Sequence, residues 1–365
     1  MAPQTFEQLR HQASLQLSAR RTHTHRYDLL PPQEKRGLGL LPAPSPGDLF
    51  YDIEGDPFFE PGRSLEYLHG LVDRDGAFSA LWAHDREEER RLLERLIDLF
   101  HERLARDPGL HVYHYASYET AALKRLAAQH ATREEELDEL LRREVFCDLF
   151  TVVRQALRIS YDSYSIKSVR ELFMRAEAEL AGGEDAIVLY EQWIADRDPA
   201  LLEQIERYNE EDCVSNLRLR DWLVERKEEA EGQFAVAIPW REAPEPRRPD
   251  EETRALLGER AELRELLVAS GDPALELAGE LLEYHRREAK PVWWWYFKRC
   301  DMLPEQLVED DSESIGSLEP DGSAPVEDKK SLVHGFRFPV QQHRLDPGDD
   351  VHDPVERARA GEIVA

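Results

Sequence analysis

A chain of 365 residues, 41% hydrophobic and 9% aromatic, has apolar material for a sizeable core, which excludes wholesale disorder. Its 47 basic against 75 acidic residues give a net charge of −28, which excludes a general nucleic-acid coat but not a nuclease with an acidic metal site and a local basic strip. There is no apolar run of about 18 residues for a membrane span, no signal-peptide stretch in MAPQTFEQLRHQ, and neither disulfide nor metal-ligand spacing among Cys147, Cys213 and Cys300. A reducing, cytoplasmic setting is expected.

Residues 1–46 read as an N-terminal extension: a short helical pattern (Phe6, Leu9, Ala13, Leu17), then a Pro-punctuated loop through Pro31-Pro32 and LPAPSPGD. From Leu49, LFYDIEGD, EYLHGLVD and AFSALWAH read as three strands, the last two joined by hairpin chemistry at Asp73–Gly76. The period then becomes helical, with Leu92, Leu93, Leu96, Leu99 and Phe100 on one face. LHVYHY reads as a strand, SYETAALKRLAAQH as a helix capped by Ser117, and the acidic helix REEELDELLRRE leads into VFCDLF. Helical segments follow to about residue 231. This order predicts an α/β domain over 47–231.

A Pro-rich linker at 232–250 and a helical region at 251–300, with the aromatic block WWWYF at 293–297, come next. Residues 301–328 hold ten acids and no base and are expected to be mobile. SLVHGFRFPVQQHRL reads as one or two strands without partners, so the chain is expected to stop within a domain at GEIVA.

The chemistry lies in the acids. Alternate side chains of a strand share a face, so within FYDIEGD Asp52 and Glu54 point together, away from Tyr51 and Ile53. Paired carboxylates on a central strand need a positive partner, and Mg²⁺ or Mn²⁺ prefers oxygen ligands; a strand end reaching solvent is the plainer alternative. Glu119 opens a helix just after a strand, where a first-turn acid also gains from the helix dipole. In Tyr208-Asn-Glu-Glu-Asp212 the four-residue spacing brings Tyr208 and Asp212 to one helix face, as it also would in any polar face of so acidic a protein. Asp148 reads as a helix N-cap before Phe150.

In this order the motifs resemble the ribonuclease H-fold 3′–5′ exonucleases of the DEDD type, tyrosine subclass. Asp52 and Glu54 match the first motif, His114-Tyr115-Ala116-Ser117-Tyr118-Glu119 aligns on the second, and Tyr208 and Asp212 match the third. The second motif departs from the family, with Glu119 in place of Asp and His114 in place of Asn. SPGDLFYDIEGDPFF, LEYLHG, HVYHYASYE, YSIKSVRELF, YNEEDC and HRREAKPVWW are similar to the predicted RecB-like nuclease and superfamily 1 helicase fusion proteins, here without a G-x-x-x-x-G-K-[ST] motor loop.

The resemblance implies a ribonuclease H-like mixed sheet flanked by helices, with a helical C-terminal extension. It implies an exonuclease acting on DNA, single strands preferred, that works with a helicase in DNA repair or processing. Asp52, Glu54, Glu119 and Asp212 would hold two Mg²⁺ or Mn²⁺ ions about 4 Å apart, which activate water and stabilise the leaving 3′ oxygen, while Tyr208 orients the attacking water. Arg154, Arg158, Lys167, Arg170 and Arg175, with Tyr161 and Tyr164 between them, form a basic strip suited to single-strand contact, or equally a solvated helix face over packed tyrosines. A catalytically silent module that binds nucleic acid or a helicase is the rival reading, and a small-nucleotide phosphohydrolase a third.

Overall fold

The computed structural model describes residues 3–174, 183–244, 251–282, 284–302, 304, 307–308, 311–328, 331–354, 356 and 358–364. Residues 2–248 form one unit and residues 249–365 another.

The first unit opens with α1 (Pro3–Thr22) and β1 (Tyr27–Leu29), followed by β2 (Leu49–Glu60), β3 (Arg63–Asp73) and β4 (Phe78–Trp82). Next come α2 (Arg86–Arg106), β5 (Val112–His114), α3 (Tyr118–His130), α4 (Glu134–Arg142), β6 (Phe146–Asp148), α5 (Leu149–Ala156) and β7 (Leu157–Ile159). The short α6 (Ile166–Arg170), α7 (Gly183–Asp196) and the 36-residue α8 (Pro199–Phe234) complete it. Five strands make a mixed sheet in the order β4-β3-β2-β5-β6, the first three antiparallel and β5 and β6 parallel to β2. The β3–β4 turn forms where its sequence chemistry places it, with Asp73 Oδ1 accepting from the backbone N–H of Asp75 (3.0 Å) and Ala77 (2.9 Å).

Strand periodicity divides the core. Tyr51 and Ile53 pack with Leu93, Leu96 and Phe100 of α2 and Leu123 of α3. Phe50 packs on the opposite face with Tyr113, Cys147, Cys213 and Leu217. Asp52 and Glu54 share Phe50's parity and so face α8. That helix starts on Pro199, with the Asp198 side chain capping the Ala200 N–H at 3.0 Å.

The sheet is mixed, flanked by helices, as expected. Two local features differ from the sequence reading. The segment before residue 47 is tied to the domain: β1 pairs antiparallel with β7, Leu15 and Ala19 are buried, and Gln12 donates to the Ile159 carbonyl at 2.8 Å. A three-residue strand such as β7 is too short to show a period of two, so it reads as part of a helical run.

In the second unit, α9 (Glu251–Val268), α10 (Pro273–Leu281) and α11 (Tyr284–Asp301) precede three short hairpins. The aromatic block lies in α11. The strands expected to lack partners find them inside the acidic stretch: β8 (Glu319–Pro320) pairs with β11 (Phe336–Arg337), and β9 (Val326–Asp328) with β10 (Ser331–Val333). Hairpins so short have no alternating run on the acidic side, and only their second strands are apolar enough to be legible. β12 (Asp350–Asp353) pairs with β13 (Ala358–Glu362). Residues 245–250 of the Pro-rich linker lie outside the described residues. Among the described residues no helix is long and apolar enough to cross a membrane.

Candidate metal centre

Asp52 and Glu54 from β2 meet Asp212 from α8, each offering a carboxylate oxygen within 4.8 Å of the others. Glu54 and Asp212 are buried, while Asp52 is partly exposed. Burial first, and then the negative charge of Asp212, Glu54 and Glu119, holds the Asp52 carboxyl well above the ordinary carboxylate range. Burial and Asp212 push Glu54 to about 8. Burial pushes Asp212 to about 6, while the Tyr208 hydroxyl and then Arg170 and Lys167 hold it back.

A carboxyl raised in the folded state favours folding most fully below its unfolded value near 4, and that contribution is lost as pH rises through the folded value. For Glu54 the loss falls around pH 8. The metal-free protein is therefore expected to melt several degrees lower at pH 9 than at pH 7, and Glu54→Gln to flatten that slope, in thermal melts with chelator.

The same residues fit a divalent cation. Asp212 Oδ1 is buried without a hydrogen-bond donor, and among the described residues no Lys or Arg forms an ion pair with Asp52, Glu54 or Asp212. Buried acceptors with no donor and like charge at close range call for a hard cation.

Glu119 stands beside the three acids but is not among them. It is buried, with His114 Nδ1 3.4 Å from its carboxylate and also donating to the Ala116 carbonyl at 2.7 Å. The turn carrying them is held in a left-handed backbone at Ala116 (φ 67°), whose N–H donates to Asp148 Oδ1 at 2.8 Å. Asp148 is the N-cap of α5, accepting from the Phe150 N–H at 2.9 Å, as its sequence position predicts.

The basic strip separates into different settings. Tyr164 is built into the domain: its hydroxyl donates to the Leu157 carbonyl at 3.2 Å, and Arg154 lies over its ring at 4.9 Å. Tyr161 stacks on His25 at 3.7 Å, and Arg158 sits on β7 opposite Asp28. Arg170 pairs with Glu211 of α8 at 3.0 Å, which seats α6 on α8 and sets Lys167 Nζ over the Tyr208 ring at 5.6 Å. Of the strip, Lys167 and Arg170 adjoin the carboxylates. Arg175 lies outside the described residues.

Two residues here were not legible in advance. Asn209 is fully buried and donates from Nδ2 to Asp52 Oδ2 at 2.8 Å. Its spacing of three from Asp212 was the available signal, since such positions share a helix face. Arg220, 2% exposed, pairs with the fully buried Asp48 at 2.7 Å and lies against the stacked rings of Phe50 (4.8 Å) and Tyr113 (5.1 Å). No sequence spacing links residues 48 and 220.

Residues 49–224 match the family model RNase_H_2, of the RNase_H superfamily. The fold of this domain is RNase H-like. No curated protein and no solved structure matches the chain. The matched span of this RNase H-like domain begins on β2 and ends within α8, so it encloses Asp52, Glu54, Glu119, Tyr208 and Asp212. The superfamily is consistent with a nuclease-type function, and the acidic cluster with the divalent metals that RNase H-like nucleases generally use.

Proposed function

We propose that the protein is a divalent-cation-dependent 3′–5′ exonuclease acting on DNA, with single strands preferred. The observation that carries this reading is the convergence of the Asp52, Glu54 and Asp212 carboxylates, with the Tyr208 hydroxyl directed at Asp212. Mg²⁺ or Mn²⁺ held there supplies charge stabilisation at the phosphate and acidifies the attacking water. Water adds to the phosphorus of the terminal nucleotide and the P–O3′ bond breaks. A nucleoside 5′-monophosphate leaves, and the shortened strand keeps a new 3′-hydroxyl.

Tyr208 is a positioning group in this scheme. Burial and the nearby acids, Asp212 foremost, raise its hydroxyl above its ordinary range, so it keeps its proton and donates a hydrogen bond rather than acting as a base. Lys167 and Arg170 place positive charge where a phosphate would enter. The expectation of two ions rests on Glu119 reaching the site as a fourth ligand. On the sequence resemblance, the enzyme would work on strands exposed by a superfamily 1 helicase during DNA repair.

One observation favours the silent module as a second reading: Glu119 is engaged by His114 rather than gathered with the other acids. Incubating end-labelled single strands with Mn²⁺ separates the two, since a silent module binds the strand and leaves its length unchanged. Tyr208→Phe, which keeps the ring and removes the hydroxyl, is expected to slow single-turnover cleavage by about 10- to 1000-fold with little change in DNA affinity. An unaltered rate would remove the hydroxyl from the mechanism.

A further inference from the structure

We propose that Asn209 is a positioning residue that holds one oxygen of Asp52 so that the other faces a cation, and that residue 70 is glycine to make room for it. The inference rests on the metal reading above.

The amide's orientation follows from its neighbours. Asn209 is 0% exposed, and its Nδ2 donates to Asp52 Oδ2 at 2.8 Å. The opposite orientation would turn Oδ1 toward the carboxylate, acceptor against acceptor. As placed, Oδ1 is buried with no hydrogen-bond donor. An unpaired buried acceptor is unfavourable, and the bond from Nδ2 to Asp52 is the interaction that compensates for it.

The space for that amide comes from β3. Gly70 is the register partner of Asp52 across the β2–β3 pair. A Cβ built on Gly70 would overlap Asn209 Oδ1, come within 2.8 Å of its Cγ and within 3.0 Å of the Phe78 ring. The glycine's backbone is not left-handed, so its role is the absence of a side chain rather than conformational freedom. Three elements thus converge on one carboxylate: β2 supplies it, α8 holds it and β3 leaves the gap.

With Oδ2 engaged by Asn209, the other oxygen of Asp52 is left for a cation shared with Glu54 and Asp212. Groups that orient a metal's ligands in this way commonly change metal affinity by about 10- to 100-fold when removed. Asn209→Leu keeps nearly the same shape against Gly70 and removes the amide.

The test is Mn²⁺ affinity of the full chain, measured by titration calorimetry together with thermal melts of the chelated protein. Asn209→Leu is expected to bind Mn²⁺ about 10-fold more weakly or worse while melting within a few degrees of the parent. Gly70→Ala is expected to weaken Mn²⁺ binding as well and to melt lower, because its methyl displaces the amide. Combined with Asn209→Ala it should regain stability, since the methyl then has room, yet bind Mn²⁺ no more weakly than Asn209→Ala alone. Parental affinity in Asn209→Leu would overturn the proposal, as would losses that multiply in the double variant. A parent that binds no Mn²⁺ would instead overturn the metal reading.

Discussion

Asp52→Asn and Asp212→Asn are each expected to lower cleavage by about 10³-fold or more while leaving the metal-free domain at least as stable as the parent. Both residues sit in a cluster of three carboxylates within 4.8 Å of one another, so each is a ligand in the proposed centre. The chelated protein must keep these groups together without a cation. Burial raises all three above their ordinary range, and the charge of Asp212 adds to this for Asp52 and Glu54, so each ionised form is disfavoured in the fold. An uncharged amide of the same shape removes that repulsion. For Asp212→Asn the amide oxygen can still face Tyr208. Thermal melts with chelator, set beside cleavage assays with Mn²⁺, check the two halves together. Variants that melt well below the parent would assign these acids a structural role.

Arg220→Met is expected to give the largest stability loss, about 3–5 kcal/mol, because it leaves a buried charge without its partner. Asp48 is fully buried and accepts from the backbone N–H of Ser45 (2.9 Å) and His111 (3.0 Å) as well as from Arg220. Those amides remain in the variant but do not cancel its charge. The guanidinium also lies against the rings of Phe50 and Tyr113, so its removal costs packing as well. Asp48 stands just before β2 and Arg220 lies two turns beyond Asp212, so the pair fixes α8 against the strand that carries Asp52 and Glu54. A fall in melting temperature on the order of 10 °C is expected. Asp48→Asn combined with Arg220→Met should recover part of it, since no unpaired charge is then buried. A melt within a degree or two of the parent would show that the pair adds nothing to the seat of α8.

The parts of the fold legible in the sequence are those with a sustained period. The alternation of Phe50, Tyr51, Asp52, Ile53 and Glu54 assigns β2 two faces, and both core clusters respect it. The four-residue step from Tyr208 to Asp212 likewise brings two side chains together on α8. What escaped has no local signal. The β1–β7 pair joins segments some 130 residues apart, each three residues long. Asn209 acquires its role only because the register sets Gly70 opposite Asp52. Glu119 was legible as an acid beside the site, but its partnership with His114 depends on the turn at Ala116, which Asp148 holds from another strand. In the second unit, β8 and β9 fall in an acidic run whose composition gives no hint of pairing.

The most direct measurement follows 5′-labelled and 3′-labelled single-stranded DNA over time with Mn²⁺, with chelator, and with the Asp52→Asn protein. Mn²⁺ should release mononucleotides from the 3′ label at the earliest times and shorten the 5′-labelled strand one nucleotide at a time. Chelator and Asp52→Asn should each leave both strands intact. Cleavage that persists in chelator or in Asp52→Asn, or strands that are bound but never shortened with Mn²⁺, would contradict a metal-dependent exonuclease built on Asp52, Glu54 and Asp212.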